Sequence, residues 1–289
     1  MSLKVRHRAP VWVFILHEIQ QRIRSTNIRN KISKLICKFK KSNKTPALFS
    51  EALHRDGFMM IGNILSIDEM HSLIKQLKGA NCTDRARKSL GEFKISDVPK
   101  DTHVADINNV VDIPEAIKLA NNEYVLSLVK SYLGAEPIID NIKAWWSLPG
   151  FDEAENEQFY HRDNDSIKFI KLFMYLTDVD EQSGPHVFIK GSQNSSLFEE
   201  RRRFSDIEVE NAFHETDKIT YYGKAGTAFL EDTYGIHKGT LPTNKKRLLI
   251  QVRYSLLPTI FVNKFGTTNP ESLSHMCNAN INKYLKVKR

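Results

Sequence analysis

The sequence predicts a mainly β protein, a barrel or sandwich of strands with helices on one flank. All predicted helices lie before residue 135, where apolar residues recur three or four positions apart. From Ile138 onward the apolar residues alternate with a period of two. A run of helices followed by a run of strands separated by turns is typical of such a fold. At 289 residues the chain can bury a full core as one large domain, with or without an appendage.

The positive charge is concentrated at the start of the chain. Residues 1–44 hold twelve Lys and Arg residues and one acidic residue, Glu18, which gives about +11. The whole chain carries +8, so the remaining 245 residues sum to about −3. A nearly neutral main part argues against a protein that binds nucleic acid specifically over its whole surface.

Cysteine usage and hydropathy indicate a cytoplasmic protein without a membrane span. Cys37, Cys82 and Cys277 are scattered, odd in number and without a CxxC motif. This pattern fits a reducing compartment and disfavours a disulfide framework or a structural zinc site. No apolar run approaches the roughly 20 residues that a membrane span requires.

Residues 10–40 are predicted to form one or two amphipathic helices, with Lys and Arg filling the polar face. Three interpretations stay open. The segment packs on its own domain or on a second copy, it rests as a basic helix on an anionic membrane surface, or it is a targeting segment or nucleic-acid arm. The polar linker Lys40–Pro46 marks the domain boundary. We therefore expect a basic helical arm at 1–44 and the main domain at 45–289.

The main domain is predicted to begin with helices. A short helix ends at Gly57, a strand spans Phe58–Ile61, and Ser66 with Glu69 forms the capping box of the next helix. Residues 80–111 look irregular and polar, which favours a lid or binding loop.

A further helical stretch closes the first half of the domain. Asp112 is the expected N-cap of this stretch, with Pro114 at its first turn. Its helical pattern runs to Tyr132, just before Gly134. The strands predicted after it are 138–147, 168–176, His186–Lys190, Lys218–Tyr222, Thr227–Glu231 and Leu248–Ser255.

One short motif carries metal-binding chemistry. On an extended strand over 159–164, His161 and Asp163 would share a face, about 7 Å apart along the strand, while Arg162 would point to the other face. A second histidine, His237, follows in YGIHKGT. Two histidines and one carboxylate form the facial triad of non-haem Fe(II) oxygenases. The competing interpretation is a buried core histidine that the aspartate simply hydrogen-bonds.

A buried arginine supports the metal interpretation. Arg247 begins the apolar strand RLLIQVRYSL, where a guanidinium needs an anionic partner. A 2-oxo acid bound to the metal through its first carboxylate and keto oxygen would place its far carboxylate in need of a buried cation. Guanidinium binds a carboxylate through a bidentate pair of hydrogen bonds, so Arg247 fits this role.

Several segments together resemble the phytanoyl-CoA dioxygenase family of Fe(II)/2-oxoglutarate oxygenases. They are GFMMIGNILS, HRD at 161–163, LFMYLTDVDEQSGPHVFIKGSQ and GIHKGTLPTNKKR, which occur in the family's order across about residues 48 to 256. The resemblance implies a double-stranded β-helix, a jelly-roll or cupin-like fold, with an N-terminal helical region.

The resemblance also implies cofactors and site residues. His161, Asp163 and His237 would be the catalytic iron ligands, and Arg247 would bind the far carboxylate of 2-oxoglutarate. Fe(II), 2-oxoglutarate and O₂ would be required to hydroxylate a small or conjugated organic substrate, with succinate and CO₂ as coproducts. Halogenating relatives lack the carboxylate ligand, so the presence of Asp163 favours hydroxylation.

The sequence departs from the family pattern at two places. The usual GSH stretch reads GSQ here, ending at Gln193, and Lys171 occupies a position where a small hydroxyl residue often helps to bind 2-oxoglutarate. We expect Lys171, and also Asn141 and Lys143 on the neighbouring strand, to contribute to cofactor binding. Two alternatives to an enzyme remain: a non-catalytic binding protein with this fold, or a membrane- or nucleic-acid-associated protein that acts through its basic arm.

Overall fold

The computed structural model describes residues 11–40, 50–259, 266–276, 278–282 and 285–287. Its helices are Val11–Arg22 (α1), Thr26–Phe39 (α2), Ser50–Asp56 (α3), Ile67–Gly79 (α4), Pro114–Ala120 (α5), Glu123–Leu133 (α6), Asp206–Glu210 (α7) and Glu271–Ser274 (α8). Its strands are Phe58–Met60 (β1), Asn81–Asp84 (β2), Glu92–Lys94 (β3), Val104–Ile107 (β4), Ile138–Ser147 (β5), Phe169–Tyr175 (β6), His186–Ile189 (β7), Lys218–Tyr221 (β8), Ala228–Glu231 (β9), His237–Gly239 (β10), Arg247–Ser255 (β11), Gly266–Thr267 (β12) and Lys286–Val287 (β13).

Two antiparallel sheets form the body of the domain. The larger sheet has the strand order β1-β9-β6-β11-β5-β4-β2-β3, and the smaller sheet has the order β10-β7-β8. Neighbouring strands in the order are mostly distant in sequence, which is the arrangement of a jelly roll rather than of a meander. The fold class expected from the sequence is therefore confirmed.

Strand β6 shows how the fold separates a structural layer from a functional one. All seven of its residues are buried. Leu172 and Met174 pack into the large apolar cluster beneath the helices, whereas Phe173 and Tyr175 pack with residues of the small sheet. Lys171 points the same way as Phe173, because side chains alternate along a strand. The face toward the small sheet is thus where polar groups can meet a cavity.

The strands predicted from 138 to 255 agree with the structure to within one or two residues at each end. The capping box of α4 is also present, because Ser66 accepts a hydrogen bond from the Glu69 backbone and the Glu69 carboxylate accepts one from the Ser66 backbone. Helix α6 ends as expected at Gly134, which adopts a left-handed conformation with φ 74°.

Two local predictions are wrong. Residues 80–111 are not an irregular loop, because β2, β3 and β4 extend the large sheet there, with Cys82 and Ile107 buried in its core. Asp112 does not cap α5. The N-cap is Ile113, and Asp112 closes a short 3-10 turn and accepts a hydrogen bond from the Thr268 backbone. The Asp112 carboxylate thus binds the backbone of a distant segment instead of capping α5, as the local pattern had predicted it would.

Helices α1 and α2 form a hairpin that packs on the main domain. Gln20 donates to the Pro258 carbonyl at 2.9 Å, and Arg29 donates to the side chain of Asn164 and the carbonyl of Ser166. The interpretation that the arm packs on its own domain is therefore the one that the described residues show. Cys277 and most of the predicted linker lie outside the described residues, and the boundary at residue 44 stays a prediction. None of the described helices combines the length and the apolar character needed to cross a membrane.

Candidate metal centre

The segment that carries His161 is shorter than the strand we expected. Tyr160 and His161 form isolated bridges to Phe204 and His237, and the chain then leaves the sheet as a loop. His161 and His237 exchange both backbone hydrogen bonds, at 3.0 and 3.1 Å. The backbone N–H of Asp163 donates to the Thr233 carbonyl at 2.8 Å. Two segments far apart in sequence are thereby fixed side by side.

This pairing brings the three predicted ligands together. Their ligand atoms all lie within 4.8 Å of one another. Nε2 of His161 is 3.7 Å from one Asp163 carboxylate oxygen, and Nε2 of His237 is 3.4 Å from the other. Among the residues that the structure describes, this is the one group of three His, Cys, Asp or Glu side chains whose ligand atoms lie close enough together to hold a metal ion.

The imidazole rings are oriented for coordination by their outer nitrogens. Nδ1 of His161 lies 2.9 Å from the Phe159 carbonyl, and Nδ1 of His237 lies 3.0 Å from the Gly235 carbonyl. A carbonyl can only accept, so each Nδ1 carries a proton and each Nε2 points to the common centre, where it would coordinate a metal in its deprotonated form. Two neutral imidazoles and one carboxylate suit a divalent transition metal such as Fe(II).

Burial and neighbouring charges set the protonation of the triad. Burial holds the pKa of His161 well below its usual value, so this ring is neutral. Burial would raise the pKa of Asp163, but Lys171 and His237 outweigh it and hold the pKa well below the usual range. Burial would lower the pKa of His237, and the nearby Asp163 carboxylate raises it instead. The carboxylate is therefore ionised in place.

Lys171 lies beside the candidate metal centre and contacts two carboxylates. Its ammonium group is 2.5 Å from Asp163 and 3.0 Å from Asp165. Arg253 contacts Asp165 at 2.7 Å and the fully buried Asp140 at 2.6 Å. Lys171 and Arg253 thus neutralise carboxylates that the folded chain buries. Whether Lys171 also binds 2-oxoglutarate stays a prediction.

Arg247 is placed differently, although it lies on the same strand as Arg253. The two side chains are almost equally buried. Arg247 donates to the Gly184 carbonyl and, at 3.2 Å, to the Ser147 hydroxyl, while its Nε has no hydrogen-bond partner. Among the described residues it contacts no carboxylate. A buried guanidinium without a carboxylate partner is costly, so an anion in the cavity would stabilise it.

One cavity of about 340 Å³ connects these groups. The ligand triad, Lys171 and Arg247 all line it. Asn141 and Lys143 line it too, as the alternation along β5 predicted, and the Asn141 side-chain oxygen is buried there without a partner. The structure therefore brings together every site residue that the sequence singled out.

Among the cavity residues that the sequence did not single out, His186 lies next to the triad. Its ring lies 5.5 Å from that of His237, and its Nε2 is 3.0 Å from the Glu231 carboxylate. Burial lowers the pKa of His186 well below its usual value and raises the pKa of Glu231 to about 8. The pair is therefore uncharged near neutral pH. His186 ends the conspicuous segment YLTDVDEQSGPH, but that position alone does not place its ring in a cavity.

Gln193, the departure from the GSH pattern, lies outside the main cavity. Its amide nitrogen donates to the His54 carbonyl at 3.0 Å, and its side chain packs against Gly57. A Cβ on Gly57 would lie 2.3 Å from Gln193, and the φ of +81° there also favours glycine. Gln193 thus joins the end of α3 to the small sheet.

A second opening reaches Asp163 from the side of the hairpin. It is lined by His17 and Gln21 of α1, by Arg162, Asp163, Asn164 and Asp165, and by Arg201, Arg202 and Arg203. Arg162 points away from the metal centre, as predicted, and donates to backbone carbonyls that include those of Ser192 and Tyr234. The hairpin therefore forms part of the surroundings of the metal centre.

A jelly roll that carries a His-Asp-His site beside an unpaired buried arginine defines the class of the non-haem iron, 2-oxoglutarate-dependent oxygenases. Residues 53–247 match the family model described as phytanoyl-CoA dioxygenase (PhyH). The match covers about two thirds of the sequence, and the chain belongs to this family.

Solved structures support the fold. The alpha-ketoglutarate-dependent epimerase SnoN from nogalamycin biosynthesis is 15% identical, with a TM-score of 0.52 over 72% of this chain and 80% of that one. EctD from S. alaskensis in its apo form is 20% identical, with a TM-score of 0.53 over 74% of this chain and 78% of that one. At these identities the likeness shows the fold alone. No curated protein matches the sequence.

Proposed function

We propose that the protein is an Fe(II)- and 2-oxoglutarate-dependent dioxygenase that hydroxylates a small or conjugated organic substrate. One observation carries this proposal. A His-Asp-His triad and an unpaired buried guanidinium line the same cavity. A non-catalytic relative would have little reason to keep a buried cation with no counter-ion, since burying it without a partner costs free energy.

In this proposal His161, Asp163 and His237 bind the iron through two Nε2 atoms and a carboxylate oxygen. When bound, iron supplies open positions for the cosubstrate and O₂ and the redox chemistry of the oxidation. The backbone carbonyls of Phe159 and Gly235 hold both rings in the tautomer that leaves Nε2 free.

Arg247 would bind the far carboxylate of 2-oxoglutarate through paired N–H groups. Asn141 would add a polar contact, because its buried oxygen faces the cavity with no partner in the described chain. Lys143, which is exposed at the cavity, would contact the cosubstrate or the substrate. The choice of cosubstrate is supported by two structures of similar fold: SnoN was solved with Fe³⁺ and alpha-ketoglutarate, and EctD with 2-oxoglutarate and 5-hydroxyectoine.

Lys171 would orient the Asp163 carboxylate toward the centre and balance its charge. Its ammonium group has three N–H donors, so one remains for 2-oxoglutarate beside its two carboxylate partners. The remaining walls of the cavity combine apolar side chains, Trp145, Phe173 and Leu249 among them, with charged and polar ones that include Arg85 and Glu157. The apolar side chains would exclude water around the substrate carbon, and the charged ones would contact polar groups of the substrate.

The experiment compares Asp163→Ala with Asp56→Ala. Both aspartates end a His-Arg-Asp tripeptide, but Asp56 lies at the end of α3, away from the cavity, and serves as a matched control. We expect Asp163→Ala alone to weaken Mn(II) or Fe(II) binding in a competition assay with a fluorescent chelator. It should also abolish succinate formation from 2-oxoglutarate under air. Unchanged metal affinity together with unchanged succinate formation in Asp163→Ala would contradict the proposal.

A further inference from the structure

The helical hairpin α1–α2 packs on the domain mainly through polar side chains, and Ile32 and Ile36 of α2 add apolar contacts to a cluster that includes Leu256. On α1 the buried residues are Val13, His17 and Gln20, and on α2 they are Thr26, Arg29 and Ser33. Gln20 accepts from the Ile167 backbone and the Ser166 hydroxyl, and the Arg29 guanidinium stacks on the Tyr234 ring at 4.1 Å. Five of these six buried residues are polar, which reverses the usual orientation of an amphipathic helix on a soluble domain.

Many apolar side chains of the hairpin nevertheless face outward. Eight of the sixteen exposed large apolar side chains of the described residues lie here. They are Val11, Trp12, Phe14, Ile15, Ile19, Ile28, Leu35 and Phe39. Trp12 and Ile15 are each 56% exposed. Scattered exposed apolar residues are ordinary, but a concentration on two adjacent helices marks an interaction surface.

The same surface is strongly basic. Five cations of α1, α2 and their connection are exposed, and Glu18 is the one acidic residue in the described part of the arm. The exposed cations are Arg22, Arg24, Lys31, Lys34 and Lys38. On α2, Ile28, Leu35 and Phe39 form one stripe, because they are seven and four residues apart, and Lys31 and Lys38 flank it.

We propose that the hairpin α1–α2 is a docking surface for an anionic lipid bilayer. Apolar side chains that include Trp and Phe, framed by Lys and Arg, suit the boundary between headgroups and acyl chains. A second copy of this chain is the less suitable occupant, because the two faces that would meet carry the same positive charge.

Docking would place the metal centre close to the lipid. Helix α1 presents Trp12 and Ile15 outward and Gln20 and Gln21 toward the loop that follows Asp163. The outward side of α1 and the side that faces this loop are therefore about one helix diameter apart, or about 10 Å. The docking is independent of the proposed oxygenase function, since it requires neither iron nor 2-oxoglutarate.

The test is sedimentation of the full chain with vesicles of phosphatidylcholine, with and without phosphatidylserine. We expect binding only to the phosphatidylserine vesicles, and weaker binding at high salt, because the Debye length falls from about 10 Å at 0.1 M to about 3 Å at 1 M. The double variant Trp12→Ser/Ile15→Ser should bind at least about tenfold more weakly.

Two controls separate docking from general effects. Ile67→Ser removes an isoleucine that is 69% exposed on α4, away from the hairpin, and should leave vesicle binding unchanged. Circular dichroism should show that the double variant folds, since both replaced side chains are exposed. Absence of binding to phosphatidylserine vesicles would overturn the proposal. So would a dimer, detected by light scattering, that the double variant abolishes.

Discussion

Arg247→Met is the substitution that most clearly separates a cosubstrate contact from a structural one. Methionine keeps the length of the stem and removes the guanidinium. In the folded chain this group donates to Gly184 and Ser147 and contacts no carboxylate among the described residues. The variant therefore loses two hydrogen bonds but also removes a buried cation without a counter-ion.

The expected magnitudes follow from this balance. Hydrogen bonds to a charged group contribute about 1.5–3 kcal/mol each, and the relief of an unpaired buried charge opposes their loss. We expect the free energy of unfolding of the apoprotein to fall by less than about 2 kcal/mol. Binding of 2-oxoglutarate should lose about 3 kcal/mol, or about a hundredfold in Kd, because one partner of a buried charge pair is removed.

Arg253→Met is the matched control on the same strand. Arg253 is as buried as Arg247, but it is paired with Asp140 and Asp165. Its removal leaves buried carboxylates without their cation, which costs about 3–5 kcal/mol of stability. The control should therefore unfold at much lower urea concentration than Arg247→Met.

The assays are urea unfolding of the apoproteins and calorimetric titration of 2-oxoglutarate into the Mn(II)-loaded proteins. Two results would together refute the reasoning. One is equal destabilisation by the two substitutions, and the other is an unchanged Kd for 2-oxoglutarate in Arg247→Met. That outcome would mean that the guanidinium only supports the fold.

Three further predictions concern the surroundings of the site. Lys171→Met should destabilise the apoprotein, since Asp163 loses its nearest cation. Mn(II) should therefore raise the Tm of this variant more than it raises the Tm of wild type, and equal rises would contradict this prediction. Arg29→Met should weaken Mn(II) binding about tenfold or more by releasing the loop after Asp163, whereas Lys34→Met on the same helix should not. Burial raises the pKa of Cys82 to about 11, so iodoacetamide should not alkylate this thiol at pH 8 until urea is added. Peptide mapping measures the alkylation, and equal labelling with and without urea would contradict the burial.

The sequence predicted the parts of the fold that depend on local periodicity. Strand β5 was predicted at its observed limits, and its alternation correctly placed Asn141 and Lys143 on the side of the cavity. The triad was also predictable, because its chemistry needs particular residue types in a short motif. What made the assignment specific was the order of several motifs along the chain rather than any one of them.

Contacts between distant segments could not be predicted in the same way. Asp112 looks like a helix cap because a cap is a local signal, but a residue 156 positions later supplies its hydrogen bond. The ion pairs of Asp165 with Lys171 and Arg253 likewise depend on strand pairing. His186 was missed because nothing local distinguishes a cavity histidine from a core histidine.

The hairpin shows a third limit of sequence patterns. Amphipathic periodicity indicated helices in 10–40, and α1 and α2 are present. Periodicity does not tell which side of an amphipathic helix packs on the domain. Here both sides take part, because polar side chains satisfy carbonyls and amides of the loop after Asp163, while Ile32 and Ile36 join an apolar cluster of the domain.

The most direct test of the central claim is an anaerobic titration of the Fe(II)-loaded protein with 2-oxoglutarate. The absorption to follow is the metal-to-ligand charge-transfer band that forms when a 2-oxo acid chelates Fe(II). The account predicts a saturable band in wild type and in Asp56→Ala, and none in His161→Ala or Asp163→Ala. Iron binding without a band in wild type, or an undiminished band in Asp163→Ala, would contradict it.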